Sequence, residues 1–248
     1  MDLAGRTAIV TGGASGIGRA TALALGRAGS RLIVADRDEA GAGKTVALLR
    51  SRGGTGEAIR CDVTRAEQIG AAIAAAERLY GGLDILFNNA GIATGLPAFP
   101  ATDPARWRQT LAVNLHAVIL ATQLAIPAMR RRGGGSIVNT SSTAGITGAD
   151  IDPVYAASKA GVLIFTRSLA GLLEQENIRV NCICPGVTDT PFVRAAEDPR
   201  MAEMPGRFPV LQPEEIAEAV IGLLQDDTAA GRALLVSASR PRTYWEPL

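Results

Sequence analysis

The chain has 248 residues, of which 47% are hydrophobic and 20% are charged, a composition typical of a folded globular domain. Its net charge of +1 gives no electrostatic reason to expect a nucleic acid or an anionic membrane surface as partner. No apolar run approaches the ~18 residues that a membrane-spanning helix requires, and the N-terminal residues lack the pattern of a secretory signal. We therefore expect a cytoplasmic protein.

Short apolar runs of strand length alternate along the chain with segments of helical periodicity. The predicted strands are residues 7–10, 31–35, 57–61, 85–87, 136–139, 179–183 and 233–236, the third being the weakest. The predicted helices are residues 16–28, 38–52, 65–80, 104–130, 154–175 and 213–225. Apolar strands separated by helices are typical of a doubly wound parallel sheet with helices on both faces. We predict one α/β domain over residues 1–248, with about seven strands.

Two segments, residues 92–103 and 187–212, break this rhythm and are rich in Pro, Gly and Thr. Each follows a predicted strand, and ligands of such sheets bind beyond the carboxyl ends of the strands. Irregular segments of this length are usually functional. We expect residues 187–212 to form a substrate loop or lid.

A glycine-rich turn joins the first strand to the first helix, where Gly12, Gly16 and Gly18 give the spacing G-x-x-x-G-x-G. Glycine allows backbone amides to approach a pyrophosphate, which the helix dipole also favours. Asp36, at the end of the second strand, is suited to bind the ribose hydroxyls and would repel a 2′-phosphate. NAD is therefore favoured over NADP, although Arg37 could stack on adenine or hold a phosphate.

Other catalytic and metal motifs fit less well. Residues 41–45 resemble the end of a P-loop, but Asp38 stands where its first glycine is required. Residues 12–16 resemble a nucleophile elbow, but Ile17 replaces its last glycine. Cys61, Cys182 and Cys184 are predicted to be free thiols, and a chain whose single histidine is His116 offers too few ligands for a metal. We expect neither a hydrolase nor a metal site.

Tyr155 and Lys159 lie four residues apart on a predicted helix and are therefore neighbours on its surface. A tyrosine with a pKa of ~10 is a poor base near neutrality. A nearby ammonium would lower that pKa and make general acid–base catalysis efficient. Ser142, at the end of a strand, could donate to a substrate oxygen on which charge develops. Taken alone, Tyr155 and Lys159 could also be an ordinary pair on a helix surface.

Together these motifs resemble the short-chain dehydrogenase/reductase family. The resemblance rests on TGGASGIG (11–18), NNAG (88–91), Asn114, Ser142, YAASK (155–159) and PG (185–186), which occur in the order and spacing of that family. It implies a Rossmann-type domain that transfers hydride between a nicotinamide and an alcohol or carbonyl. It also implies a catalytic set of Ser142, Tyr155 and Lys159 with Asn114 as fourth member, although Asn114 could instead be a satisfied core asparagine.

The resemblance and the turn motif together give a set of expected cofactor-binding residues. They are Gly12, Ser15, Gly16, Ile17, Gly18, Asp36, Arg37, Asp62, Val63, Asn89, Ala90, Gly91, Tyr155, Lys159, Gly186, Thr188 and Thr190. Two alternatives stay open here. Asp62 could be the N-cap of a helix, and Thr188 and Thr190 could be ordinary turn residues.

The expected pocket wall is apolar, which suits a secondary alcohol or ketone of moderate size. Its predicted members are Ala93, Leu96, Ile146, Ile151, Val154 and Phe192. No pair of arginines is predicted to converge on it, so a dicarboxylate substrate is not expected. Arg194, Arg200 and Arg207 are interpreted as the solvated face of the lid. The alternative functions are an NADP-dependent 3-oxoacyl or ketone reductase, and a non-catalytic protein that senses the cofactor.

The C-terminal residues depart from the family pattern, which in many relatives ends with a strand and a DGG-like turn. We expect Tyr244 and Trp245 to cover apolar surface on the same or a neighbouring subunit. Similar proteins are commonly homodimers or homotetramers built on the helices at 104–130 and 154–175, and the same is expected here.

Overall fold

The computed structural model describes residues 1–246 as one α/β domain built on an eight-stranded sheet. The strands are β1 (Thr7–Thr11), β2 (Arg31–Asp36), β3 (Thr55–Arg60), β4 (Ile85–Asn88), β5 (Gly135–Thr140), β6 (Ile178–Pro185), β7 (Ala233–Ser237) and β8 (Arg240–Tyr244). Their order is β3-β2-β1-β4-β5-β6-β7-β8, with β1 to β7 parallel and β8 antiparallel to β7. The predicted doubly wound, Rossmann-type sheet is confirmed.

The helices occupy the predicted segments, with several short ones added. They are α1 (Gly16–Arg27), α2 (Glu39–Ser51), α3 (Ala66–Tyr80), α4 (Pro104–Leu111), α5 (Ala117–Arg131), α6 (Ala144–Thr147), α7 (Pro153–Ser168), α8 (Leu172–Glu176), α9 (Pro191–Arg194), α10 (Pro199–Ala202), α11 (Met204–Arg207) and α12 (Pro213–Gln225). The helix predicted at 154–175 is divided into α7 and α8. A π-helical turn, Ala112–His116, joins α4 to α5.

The central strands are buried on both faces because helices cover the sheet on both sides. Successive residues of a strand point to opposite faces. Val10 and Val34 accordingly pack with α1, α2 and α12 on one face, and Ile9 and Ile33 pack with α3 and α5 on the other. This double burial explains why β1 and β2 lack the polar alternation of a half-exposed strand.

The prediction of about seven strands missed β8. All five residues of β8 are exposed, and Pro241 interrupts any apolar alternation, so no sequence pattern marked it as a strand. The Trp245 ring packs on the cluster of Leu163, Cys182 and Cys184, and the guanidinium of Arg167 lies 5.3 Å from the ring centroid. The tail therefore covers apolar surface of its own chain. Residues 247–248 lie outside the described part.

The continuous helical segment Pro104–Arg131 is apolar over much of its length, although polar residues such as Asn114, His116 and Gln123 interrupt the apolar run. It is 28 residues long and includes an 18-residue window with a mean hydropathy of 1.6, enough by length and composition alone to cross a membrane. Val113, Ala117, Ala121 and Ala125 of this segment belong to the core beneath the sheet. Packing in the domain core therefore explains the apolar face of the segment.

Candidate active site

A cleft of about 690 Å³ opens at the carboxyl ends of the parallel strands. It lies at the point between β1 and β4 where the strand order reverses. One end reaches Asp36 and Asp62, and the other reaches residues of the segment 187–212. All of the predicted catalytic and cofactor-binding residues line this cleft except Gly18 and Asn114.

The glycine-rich turn after β1 forms a floor of bare backbone. Gly12 and Gly16 have φ angles of +64° and +51°, which L side chains rarely adopt. Gly18 lies beneath the turn, where a Cβ would come within 2.1 Å of the Gly12 carbonyl oxygen. Asn89 Nδ2 donates to the carbonyls of Thr11 and Gly12, at 3.1 and 3.3 Å. This floor fits the pyrophosphate of a dinucleotide because the glycines leave room for an anion to approach the backbone at the start of α1.

Asp36 lies beside this floor and holds the turn in place. Its Oδ2 accepts from the Ala14 amide and its Oδ1 from the Asp38 amide, both at 2.9 Å. Arg37, which is exposed, lines the same end of the cleft. The Asp36 carboxylate is half-buried, so its remaining lone pairs are available to a ribose.

Asp62 also lines this end of the cleft and does not cap a helix. Its Oδ1 accepts from the Thr64 amide at 3.0 Å and from the Thr64 hydroxyl at 2.7 Å, whereas Arg65 is the residue that precedes α3. These two hydrogen bonds from Thr64 hold the pKa of Asp62 below its usual value. The N-cap alternative for Asp62 is therefore wrong.

Helix α7 carries Tyr155 and Lys159 into the middle of the cleft. Asp152 is the N-cap of this helix, and its Oδ1 accepts from the Tyr155 amide at 3.0 Å. Pro153, the first residue of the helix, suits the helix start. Lys159 is buried, and its Nζ lies 5.7 Å from the centroid of the Tyr155 ring. Ser142, which follows β5, lines the same wall. The structure thus brings the three side chains to one wall.

Asn114 is fully buried in the π-helical turn, behind the cleft rather than on its wall. Its Oδ1 accepts from the Ile92 amide at 2.9 Å, and its Nδ2 donates to the Ile92 carbonyl at 2.9 Å and to Ser158 Oγ at 3.1 Å. Ser158 Oγ in turn donates to the Tyr155 carbonyl at 2.6 Å. Asn114 therefore connects the loop after β4 to the helix of Tyr155, a link that the sequence did not reveal.

Desolvation controls the ionisation of the Tyr155 and Lys159 side chains. Burial raises the pKa of Tyr155 to about 12, with a hydrogen bond from Ser142 lowering it and the charge of Asp152 raising it further. Burial lowers the pKa of Lys159 to about 8. The expectation that the ammonium lowers the pKa of Tyr155 is not met, because burial of the phenol dominates. Lys159 Nζ donates to the Thr140 carbonyl at 2.7 Å, and burial disfavours the charged form of both groups.

The family model described as short chain dehydrogenase matches residues 6–200. The chain belongs to the short-chain dehydrogenase/reductase family. Members of this family are oxidoreductases that use nicotinamide cofactors.

Proteins of known activity and known structure resemble this short-chain dehydrogenase over most of its length. It is 39% identical over 224 residues to cis-4-hydroxycyclohexanecarboxylate dehydrogenase of Sinomonas cyclohexanicum, covering 89% of this chain and 90% of that protein. It is 35% identical over 224 residues to cyclohexanol dehydrogenase of Acinetobacter sp. (strain SE19), covering 90% and 89%. The crystal structure of levodione reductase aligns with a TM-score of 0.89 at 30% identity, covering 95% and 97%.

Apolar side chains line the cleft near Tyr155, although the set of residues differs from the prediction. Ala93, Ile151 and Phe192 line it as predicted, and the Phe192 and Tyr155 ring centroids are 5.7 Å apart. Leu96, Ile146 and Val154 do not line it, which corrects the sequence interpretation. The lining residues that the sequence argument missed include Val113, Val187, Met201 and Met204. They come from α4–α5 and from the segment 187–212, whose path no periodicity indicated.

The two ends of the segment 187–212 lie side by side. Leu211 donates to the Val187 carbonyl at 2.9 Å, and Asp189 donates to the Leu211 carbonyl at 2.9 Å, which closes its base. Gly186, Thr188 and Thr190 line the cleft at this base, and a Cβ on Gly16 would lie 3.1 Å from Thr190 Cγ2. The structure therefore brings Thr190 against the glycine-rich turn, while the two threonines also make hydrogen bonds of an ordinary turn.

Three arginines of the same segment each pair with an acid of that segment. The pairs are Arg194–Asp189 at 2.5 Å, Arg200–Asp198 at 2.6 Å and Arg207–Glu203 at 2.6 Å. Exposed pairs of this kind contribute little to stability. They agree with the interpretation of these arginines as a solvated face.

Proposed function

We propose that the protein is an NAD-dependent oxidoreductase acting on a secondary alcohol or its ketone. The observation that carries the proposal is the single cleft whose floor is the glycine-rich turn and whose wall carries Ser142, Tyr155 and Lys159 together. The similarity to dehydrogenases named for cyclohexanol and a hydroxycyclohexanecarboxylate supports a substrate of that general class.

In this proposal Tyr155 moves the proton. Its phenolic Oη donates to the carbonyl oxygen in reduction and accepts from the alcohol in oxidation. A bound nicotinamide would supply or take up the hydride. Ser142 Oγ donates to the substrate oxygen and stabilises the charge that develops there. Lys159 supplies a positive charge behind the phenol, and Asn114 holds the loop after β4 against α7. The high pKa of Tyr155 means that the phenol keeps its proton until a substrate oxygen takes it.

The cofactor would lie along the cleft from Asp36 to Thr188. The turn residues Gly12, Ser15, Gly16 and Ile17 would hold the pyrophosphate over α1, with Gly18 packing beneath. Asp62 and Val63 would contact the adenine, and Asn89, Ala90 and Gly91 would lie against the cofactor. Lys159, Gly186, Thr188 and Thr190 would face the nicotinamide half.

NAD is proposed over NADP because the Asp36 carboxylate would repel a 2′-phosphate. Arg37 beside it is the reason to test both cofactors. A preference for NADP would favour the alternative of a 3-oxoacyl or ketone reductase. Tight cofactor binding without turnover on any substrate would favour the cofactor-sensing alternative.

A panel of secondary alcohols and ketones, assayed by nicotinamide absorbance with each cofactor, tests the proposal. Tyr155→Phe should lower kcat by a factor of about 10³ or more, because the proton donor is removed, while NAD affinity changes little. As a control, isothermal titration with NAD shows whether the variant is folded and still binds the cofactor. Normal turnover by Tyr155→Phe would falsify the mechanism.

We further propose a cytoplasmic homodimer or homotetramer. Ile119 on α5 and Ile164 on α7 are exposed to 37% and 55%, and apolar side chains on two long helices favour a contact between subunits. Light scattering coupled to size exclusion measures the state. A monomer at micromolar concentration would contradict the proposal.

A further inference from the structure

Three cations line the cleft within residues 1–246, and each lies in a different part of it. Arg37 is at the end beside Asp36, Lys159 is beside Tyr155, and Arg106 reaches the substrate end from α4. The first two belong to the site already described. Arg106 has no role in that site.

Arg106 already holds a carboxylate. Its Nη2 donates to Glu197 Oε2 at 2.7 Å, and the same oxygen accepts from the Leu96 amide at 3.3 Å. A guanidinium and a backbone amide converging on one oxygen are a typical carboxylate site. This pairing holds the pKa of Glu197 below its usual value.

The backbone beside this pair is shaped around the carboxylate. Gly95 has a φ angle of +78°, and a Cβ there would lie 3.0 Å from both Arg106 Nη2 and Glu197 Oε2. Any side chain at residue 95 would crowd the ion pair. The positive φ angle favours glycine at residue 95, and a Cβ there would require the ends of the two side chains to shift by a few tenths of an ångström.

Glu197 is held loosely enough to be exchanged. Its side chain is 58% exposed, it lies between the short helices α9 and α10, and exposed ion pairs contribute little to stability. Arg106 carries five N–H donors, of which the described structure uses one for Glu197. A second carboxylate arriving through the cleft can therefore pair with this guanidinium.

We propose that Arg106 is the receptor for a carboxylate on the substrate, and that Glu197 occupies this receptor until the substrate arrives. The substrate class is then an apolar monocarboxylate that carries a secondary hydroxyl or a ketone. Its apolar body would contact apolar residues that line the same cleft, such as Ile151, Phe192 and Met204. One guanidinium suits one carboxylate, in agreement with the expectation that a dicarboxylate is not the substrate. This assignment rests on the proposed function.

Binding is tested first, because it does not depend on turnover. Cyclohexanecarboxylate and its uncharged analogue cyclohexanecarboxamide are titrated separately into the NAD-loaded protein. The receptor predicts that the carboxylate binds about tenfold or more tightly than the amide, because charge-assisted hydrogen bonds exceed neutral ones. Arg106→Gln should remove this preference, and Arg106→Lys should keep part of it. Equal binding of the two probes by the wild type overturns the proposal.

The matched control is Arg108→Gln, which removes an exposed guanidinium from the same helix. Arg108 lies over the Trp107 ring and does not line the cleft. This variant should keep the wild-type preference for the carboxylate. Loss of the preference in both variants would indicate a general effect of surface charge and would count against a receptor at Arg106.

Glu197→Gln separates a receptor from a simple latch. Removing the competing carboxylate should tighten carboxylate binding by about twofold to fivefold and leave the amide unaffected. If the Arg106–Glu197 pair only holds the cleft closed, Arg106→Gln and Glu197→Gln should both weaken the binding of the carboxylate and of the amide. That result would also overturn the receptor.

Turnover of matched hydroxy acid and hydroxy amide pairs then distinguishes the two proposals. In Arg106→Gln the acid-to-amide ratio of kcat/KM should fall by about tenfold or more, mainly through KM. A wild type that binds the carboxylate selectively but turns over neither substrate would support the receptor and contradict the proposed oxidoreductase. A wild type that oxidises the acid and the amide equally would support the proposed oxidoreductase and contradict the receptor.

Discussion

At the scale of single residues, the main feature is a lysine whose charge is buried. The Lys159 ammonium donates to one described acceptor, the Thr140 carbonyl, and burial lowers its pKa to about 8. A charge in such a place is costly unless it has partners. Burial also raises the pKa of Tyr155 to about 12. The pKa values of the two groups are therefore displaced in opposite directions from their ordinary values.

These shifts predict the pH dependence of both directions of the reaction. Below about pH 8, Lys159 keeps its charge and Tyr155 keeps its proton, while the ionised fraction of Tyr155 rises tenfold with each pH unit. Oxidation needs the phenolate, so its kcat/KM should rise about tenfold per unit from pH 6 to 8. Reduction needs the protonated phenol and should stay nearly constant. Steady-state profiles with one alcohol and its ketone measure this.

The control for this profile is His116→Gln, since histidine ordinarily titrates within the same pH range. His116 is exposed at the end of the π-helical turn, and the variant should retain both profiles. A flat oxidation profile in the wild type would contradict the assignment of Tyr155 as the base.

The glycine-rich turn gives a second prediction at this scale. Gly18→Ala should weaken NAD binding by about tenfold or more, because the new Cβ would lie 2.1 Å from the Gly12 carbonyl oxygen and the turn must move. Gly43→Ala is the matched control, because a Cβ at residue 43 of α2 would have no atom within 4 Å. Isothermal titration compares the two, and equal affinities would show that the turn does not hold the cofactor.

At the scale of elements, β6 and α12 are joined by a buried arginine. Arg179 is 4% exposed and donates to the carbonyls of Leu223, Leu224 and Asp226, which close the last turn of α12. A cation at a helix C-terminus also interacts favourably with the helix dipole. The end of α12 therefore depends on a side chain from a strand more than forty positions earlier.

Arg179→Met should lower the free energy of unfolding by about 2–4 kcal/mol, because it leaves these carbonyls without a charged donor. Arg78→Met, an exposed arginine in the last turn of α3, should change it by no more than about 0.5 kcal/mol. Urea unfolding followed by circular dichroism measures both. A change in Arg179→Met no larger than in the control would show that water replaces the arginine at no cost.

The comparison of sequence with structure is clearest for these elements. Apolar strands such as β1 and β4 and the long helices were predictable because burial on both faces leaves a strong pattern. The exposed strand β8 and the short helices α9 to α11 carry no such pattern. The residues that face the cleft from one motif, such as Tyr155 and Lys159, were predictable from their spacing. The contacts of Asn114 with Ile92 and Ser158 were not, because they join three separate elements.

At the scale of the whole molecule, the main feature is the antiparallel strand that ends one side of the parallel sheet. The β7 edge is covered by β8, whose exposed residues include Arg240 and Arg242. Charged residues and a proline on an edge strand oppose pairing with another chain. Trp245 then packs beside this edge, where its amide donates to the Ala233 carbonyl at 2.8 Å.

Trp245→Ala should lower Tm by about 2–8 °C, because the ring covers the cluster around Leu163 and Cys182. Deleting residues 240–248 should have a larger effect and promote aggregation, because it also exposes the β7 edge. Differential scanning calorimetry and light scattering measure the two effects. A truncated protein that stays soluble with an unchanged Tm would show that the tail is dispensable.

The Trp245 ring under the Arg167 guanidinium has a practical consequence. The chain has two tryptophans, and the other, Trp107, is on α4 next to Arg106. Indole emission depends on the surroundings of each ring, so Trp107→Phe leaves a fluorophore that reports on the sheet edge. Trp245→Phe leaves one on α4, next to the cleft residue Arg106. Ligand arrival and edge opening can therefore be followed separately, without any added label.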